Sequence, residues 1–147
     1  MTVSIQDRSE IEELYARYCG AFDIGDVDAW VSTFTANARV GDFQGPDAIR
    51  AYIERRLRER PDDPESDKVH MIFNLLLEYG SDQDHARGFC YLLRVGRSRE
   101  TGQLQIVQPG PICQMDEYER VGGKWLFSVR NGAMELPEPG TRIPGLR

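Results

Sequence analysis

The spacing of apolar positions changes halfway along the chain. From Asp7 to Phe22, the residues Ile11, Leu14, Tyr15, Tyr18 and Phe22 recur at helical spacing, which predicts an amphipathic helix. Ser9 and Glu12 have capping-box spacing, and Ser4 with Asp7 offers an earlier start. Gly20 loosens this helix, and the turn Asp23-Ile24-Gly25-Asp26 ends it. A short second helix over Val27–Phe34 carries Trp30, Val31 and Phe34 on one side, with Asp26 as its cap. Ala38–Gly41 reads as a brief strand. Gly45-Pro46-Asp47 opens a third helix through Arg58, with Ile49, Tyr52, Ile53 and Leu57 as its buried stripe.

After the polar, proline-containing break Pro61–Asp67, the period becomes that of strands. Strands are predicted over Lys68–Glu78, Ala86–Val95 and Gln103–Gln108, the last open to continuation as far as Met115. Lys124–Arg130 pairs with Gln114–Arg120 across the hairpin signal Val121-Gly122-Gly123. Three helices followed by four or more antiparallel strands describe an α+β layer fold, with the helices on one face of a curved sheet. The remaining face then encloses a pocket or meets another subunit.

Length and charge narrow the function classes. The 147 residues suit one domain over 1–136, followed by a Pro/Gly-containing tail over 137–147. Eighteen Lys and Arg against 24 Asp and Glu give a net charge of -6, which argues against nucleic acid as a partner. No apolar run is long enough to span a bilayer, and polar Met1–Glu12 does not read as a secretory signal. The three cysteines are odd in number and widely spaced, so free buried thiols in a reducing, cytoplasmic setting are expected, with no structural metal. With only His70 and His85, a three-histidine metal site is impossible.

Four residues could carry chemistry. Strand alternation in Val69–Leu75 puts His70, Ile72 and Asn74 on one face and Val69, Met71, Phe73 and Leu75 on the other. A carboxylate beside His70 would fix its tautomer and raise its basicity, and Asp23, just after the first helix, is the candidate. Tyr18 could polarise a carbonyl or pass a proton. Arg130, read on the Leu126-Ser128-Arg130 face opposite Trp125, Phe127 and Val129, could bind an anion or hold Asp23. Each also has an ordinary structural reading: a core histidine, a turn aspartate, a core tyrosine and a surface salt-bridge arginine. Spacing alone does not bring the four together.

An ordered set of motifs adds to this. Ile11-x-x-Leu14-Tyr15-x-x-Tyr18, Phe22-Asp23-x-Gly25-Asp26, Trp30 and Phe34-Thr35 resemble the opening of the SnoaL-like branch of the nuclear transport factor 2-like superfamily. Gly45-Pro46-Asp47-Ala48-Ile49, Val69-His70-Met71 with Asn74, Asp84-His85-Ala86 and Gly123-Lys124-Trp125 with Arg130 continue the pattern, over roughly residues 7 to 132. The resemblance implies a cone-shaped, strongly curved mixed sheet whose helices enclose a pocket. It also implies a cofactor-free enzyme acting on a small hydrophobic or cyclic organic substrate, in a homodimer or homotrimer. Scytalone dehydratase, bile acid 7α-dehydratase, the lindane dehydrochlorinase, ketosteroid isomerases and polyketide cyclases belong to this branch, as do non-catalytic dioxygenase subunits. By this resemblance Asp23 and His70 form the acid–base pair of a dehydratase-type lyase, with Tyr18 and Arg130 assisting. Isomerase, cyclase and assembly-subunit roles stand as alternatives. Phe22, Trp30, Ile72, Asn74 and Gln114 are the expected substrate-binding residues, Gln114 standing where relatives often carry an aromatic. His85 falls before its strand and is expected to be exposed or structural.

Overall fold

In the computed structural model, which describes residues 2–59, 68–107, 112–133 and 135–146, Ser4 rather than Ser9 starts the first helix. Its hydroxyl accepts the Asp7 backbone N–H at 3.0 Å, and α1 (Ile5–Ile24) runs through Gly20 to a left-handed cap at Gly25. Asp26 caps α2 (Val27–Val31), which is shorter than the spacing suggests. The Thr33 hydroxyl bonds the Trp30 carbonyl at 2.6 Å, and the chain beyond it enters β1 (Phe34–Val40). That strand therefore begins at Phe34, not Ala38. After β2 (Phe43–Gln44) comes α3 (Pro46–Glu59). The predicted break Pro61–Asp67 lies outside the described residues, as do Gln108 and the run from it to Pro111.

The second half supplies β3 (Lys68–Tyr79), β4 (His85–Arg97), β5 (Leu104–Ile106), β6 (Ile112–Val121) and β7 (Lys124–Ala133). Strand order is β2-β1-β7-β6-β4-β3, with β5 on β4. The β1–β7 pairing is parallel and the others are antiparallel, so the curved, unclosed sheet is mixed. One face carries the three helices over a core that includes Ile11, Leu14, Trp30, Tyr118, Trp125 and Phe127.

Two irregularities in register correct the faces read from strict alternation. Phe73 pairs with Tyr91 but Leu76 with Phe89, so β3 holds one extra residue at Asn74–Leu75, and Asn74 is left-handed at φ 54. The bulge moves Asn74 out to solvent, and Leu75, Leu77 and Tyr79 continue the inner face begun by His70 and Ile72. In β7, Phe127 pairs with Tyr118 and Val129 with Glu117, leaving Ser128 as the extra residue. Arg130 is thereby carried onto the inner Trp125–Phe127 face, rather than the Leu126–Ser128 face, and is only 3% exposed.

Asp7 ties the start of α1 to the far side of the sheet. It accepts hydrogen bonds from Tyr79, Arg120 and the Trp125 indole. Burial alone would raise its carboxyl, but these donors, with Ser4, hold it at about 2. A carboxyl lowered on folding contributes stability above its ordinary value near 3.8, and loses it as pH falls towards 2. The Asp7→Asn protein is therefore expected to unfold more easily at pH 7 by about 2 kcal/mol, with the difference vanishing by about pH 2. Urea titrations at both pH values measure it.

Close packing at Gly88 sets the course of Tyr118. A Cβ there would overlap the Tyr118 hydroxyl and sit 2.9 Å from its Cε2 and 3.0 Å from Leu77. The Gly88→Ala substitution is expected to cost about 1–3 kcal/mol in thermal or urea unfolding, since the ring must move within a filled core.

The segment after β7 folds back over the opposite face of the sheet. Ile143 packs with Phe89 and Cys113. Arg142 pairs with Glu78 at 3.0 Å, and the Gly145 N–H bonds Glu78 Oε2 at 3.1 Å. Gly145 lies so close that a Cβ would be 2.9 Å from the backbone of Leu77, with φ at 70.

Candidate active site

Asp23 occupies the last turn of α1, where the helix dipole disfavours a negative charge and the turn itself carries no basic residue. Its partner is across the gap on β3. Asp23 Oδ2 accepts the His70 backbone N–H at 3.0 Å, and Oδ1 lies 2.6 Å from His70 Nδ1. The two side chains are 16% and 13% exposed. A carboxylate only accepts, so it holds the proton on Nδ1 and leaves Nε2 as the basic nitrogen. The Phe22 ring meets the imidazole edge to face at 4.7 Å and limits its rotation. His70, Ile72 and Asn74 line a cleft of about 370 Å³ between α1 and β3, together with Tyr15, Ala16 and Cys19.

A second cluster lies deeper under α1. The Arg130 guanidinium carbon is 4.1 Å from the Tyr18 ring centre, 4.5 Å from that of Phe127 and 5.3 Å from that of Tyr15. Its ionic partner is Asp116, at 3.0 Å, a group that the sequence reading, which offered a bound anion or Asp23, did not name. The β7 bulge explains this correction, because the inner face brings Arg130 opposite Asp116 in the β6–β7 register. Asp116 also accepts the Tyr15 hydroxyl at 2.7 Å, and Tyr15 meets Tyr118 at 2.6 Å. Burial pushes the Asp116 carboxyl up, against the opposing pull of Arg130 and Tyr15. Burial would lower Arg130, but Asp116 holds it firmly protonated.

Arg130 Nη2 is the atom that faces Asp116 Oδ2, and among the described residues Nη1 has no hydrogen-bond acceptor. Burial raises Tyr18 to about 12, so at neutral pH it is a hydrogen-bond donor and not a base. Cys19 stands between the two clusters. Burial raises its thiol to about 12, with Arg130 pulling it down and Asp23 pushing it up. Cys90 is also pushed by burial to about 12, so neither thiol is ionised at neutral pH.

The remaining sequence candidates fall elsewhere. Trp30 packs on Tyr18 at 5.4 Å and Phe22 at 6.1 Å within the core. Gln114 is buried on the inner face of β6, against Gly132. Neither lines the His70 cleft. His85 is exposed at the start of β4 and pairs with Asp82 at 2.7 Å, which raises its pKa. Asp116 escaped the sequence reading, although it shares a strand face with Gln114 and Tyr118. Among the described residues no three His, Cys, Asp or Glu side chains are placed to hold a metal ion, and no helix is long and apolar enough to cross a membrane.

Comparison with known proteins bears on this arrangement. No curated protein matches the chain. Among solved structures, Aln2 from a Streptomyces species superposes with a TM-score of 0.78 at 21% identity, over 91% of this chain and 94% of that one. ActVI-ORFA from Streptomyces coelicolor gives 0.78 at 17% identity, over 92% and 100%. A protein of unknown function with a cystatin-like fold from Nostoc punctiforme gives 0.73 at 25% identity, over 99% and 100%. These likenesses show the fold. The sequence itself decides the family: residues 3–131, from the cap of α1 through most of β7, match the SnoaL-like domain, and the chain belongs to that family.

Proposed function

We propose that this protein is a cofactor-free acid–base enzyme that eliminates water, or a comparable leaving group, from a small cyclic or polyketide-like molecule. The contact between Asp23 and His70, at the wall of a cleft, carries this reading. His70 Nε2 takes a carbon-bound proton next to a carbonyl, and Asp23 stabilises the imidazolium that forms. The charge developing on the carbonyl oxygen needs donors. The candidates are Arg130 and the protonated Tyr18 hydroxyl, which lie deeper under α1 and do not line the cleft, so the carbonyl must reach past Cys19 to meet them. The electron pair then forms the new double bond, and the proton on His70 leaves with the departing hydroxide as water. Ile72 and Phe22 keep bulk water from the reacting atoms. Isomerisation and ring closure begin with the same proton abstraction and differ only in where the carbanion is quenched.

The test is incubation with a panel of cyclic β-hydroxy ketones in deuterated water, followed by mass spectrometry. Elimination predicts product lighter by one water. Deuterium uptake at unchanged mass skeleton would favour the isomerase or cyclase course. Binding with neither turnover nor exchange across the panel would overturn the enzymatic reading.

A further inference from the structure

The His70 cleft shares two lining residues with a second hollow. Asn74 and Leu75, at the β3 bulge, line both that cleft and a larger hollow of about 630 Å³ on the opposite face. β3 is the last strand in the sheet order, and along its margin the Arg8 guanidinium bonds the Leu75 carbonyl at 2.9 Å and Thr2 bridges Glu78, which leaves Asn74 as the point between the two hollows. Leu76, Phe89 and Tyr91 form the floor of the hollow, and Leu136, Pro139 and Ile143 of the C-terminal segment form its roof. A third hollow of about 390 Å³, lined by Phe73, Asn74, Tyr91, Leu93 and Leu136, adjoins it. All three meet at Asn74.

The roof is built rather than draped. Arg142 and the Gly145 N–H both bond Glu78, and Ile143 is buried between Phe89 and Cys113. The roof lies beyond residue 131, where the family match ends, while the floor lies within it. The volume of this chamber suits a small organic ligand, and its lining is mostly apolar with few polar groups.

We infer that the substrate is an elongated, largely apolar molecule that reacts at His70 and lays its distal part across Asn74 into the chamber under the C-terminal segment. This rests on the acid–base reading of the His70 cleft. It adds a distal subsite with Asn74 as its threshold, and makes Tyr91, Leu136 and Ile143 determinants of chain length or ring number.

The probes are phenol and 4-pentylphenol, titrated into the full chain and followed by amide NMR shifts. Each added methylene buried in an apolar site strengthens binding about fourfold, so 4-pentylphenol is expected to bind at least ~30-fold more tightly than phenol. Its shifts should appear both at Ile72 on the cleft side and at Leu76 and Tyr91 in the chamber. Thr141→Trp and Leu136→Trp each place a large ring in the chamber from an exposed position. Each should weaken 4-pentylphenol about tenfold or more, leaving phenol within about twofold. No binding, no gain with length, shifts on one side only, or indifference to both tryptophans would overturn the subsite. The acid–base reading fails separately, through the deuterium-exchange assay, which does not involve the chamber.

Discussion

Asp23→Asn is expected to lower turnover by about 10²–10⁴-fold and to leave the fold intact. The carboxylate makes two bonds to one residue, to the His70 ring at 2.6 Å and to its backbone N–H at 3.0 Å. The asparagine amide is nearly the same size, so packing against β3 survives. What changes is the proton arrangement on the imidazole. An amide nitrogen facing Nδ1 forces that atom to accept, which puts the proton on Nε2 and removes the base. An amide oxygen there keeps the tautomer but no longer offsets the imidazolium charge. Either outcome slows proton abstraction. His70→Ala should lose at least as much, and the double variant should be no slower than the worse single one, because the two residues act as one unit. Circular dichroism checks the fold and initial rates check the effect. Undiminished activity in either single variant would rule out the pair.

The largest stability loss falls on Arg130. Changing it to Met removes the cation 3.0 Å from Asp116 and leaves a carboxylate that is 1% exposed. A buried pair broken on one side costs about 3–5 kcal/mol, most of it the penalty of the stranded charge. Asp116→Leu strands the guanidinium in the same way. With Arg130→Met and Asp116→Leu together, no buried charge remains, and the double variant is expected to be more stable than either single one. Urea denaturation of the four proteins gives the coupling directly. The Arg130→Met protein should also weaken as pH rises from about 4, because its Asp116, raised on folding, must give up a proton that the folded state retains. Additive losses with no pH trend would mean that the ion pair does not hold this part of the core.

Much of this was legible before any coordinates. Helical periodicity located α1 and α3, the Gly122-Gly123 step located the β6–β7 hairpin, and the motif order pointed to the family. Alternation within β3 placed His70 and Ile72 on the same inward face. The misplacements share one physical origin. A bulge inserts a single residue, and every side chain beyond it changes face. Leu75 and Arg130 both lie just at or beyond such an insertion, so period-two reasoning put each on the wrong side. The partner of Arg130 was lost for the same reason, since Asp116 meets it only after the shift at Ser128. Asp23 offered a signal of another kind. An acidic residue in the last turn of a helix breaks the local charge preference, and such a violation marks a residue held there by something outside the helix.

The tie between Asp7 and the last strands orders events as the chain is made. The nucleus of the N-terminal layer needs Arg120 and Trp125, which follow Asp7 by 113 and 118 residues. β1 needs β7 as its parallel neighbour, again from the other end of the chain. The helices leave the ribosome first, yet they cannot close their core until the final hairpin has emerged. Contacts of this sequence separation slow folding through the entropy of closing long loops. During synthesis the amphipathic face of α1 therefore stays open until the β6–β7 hairpin has emerged.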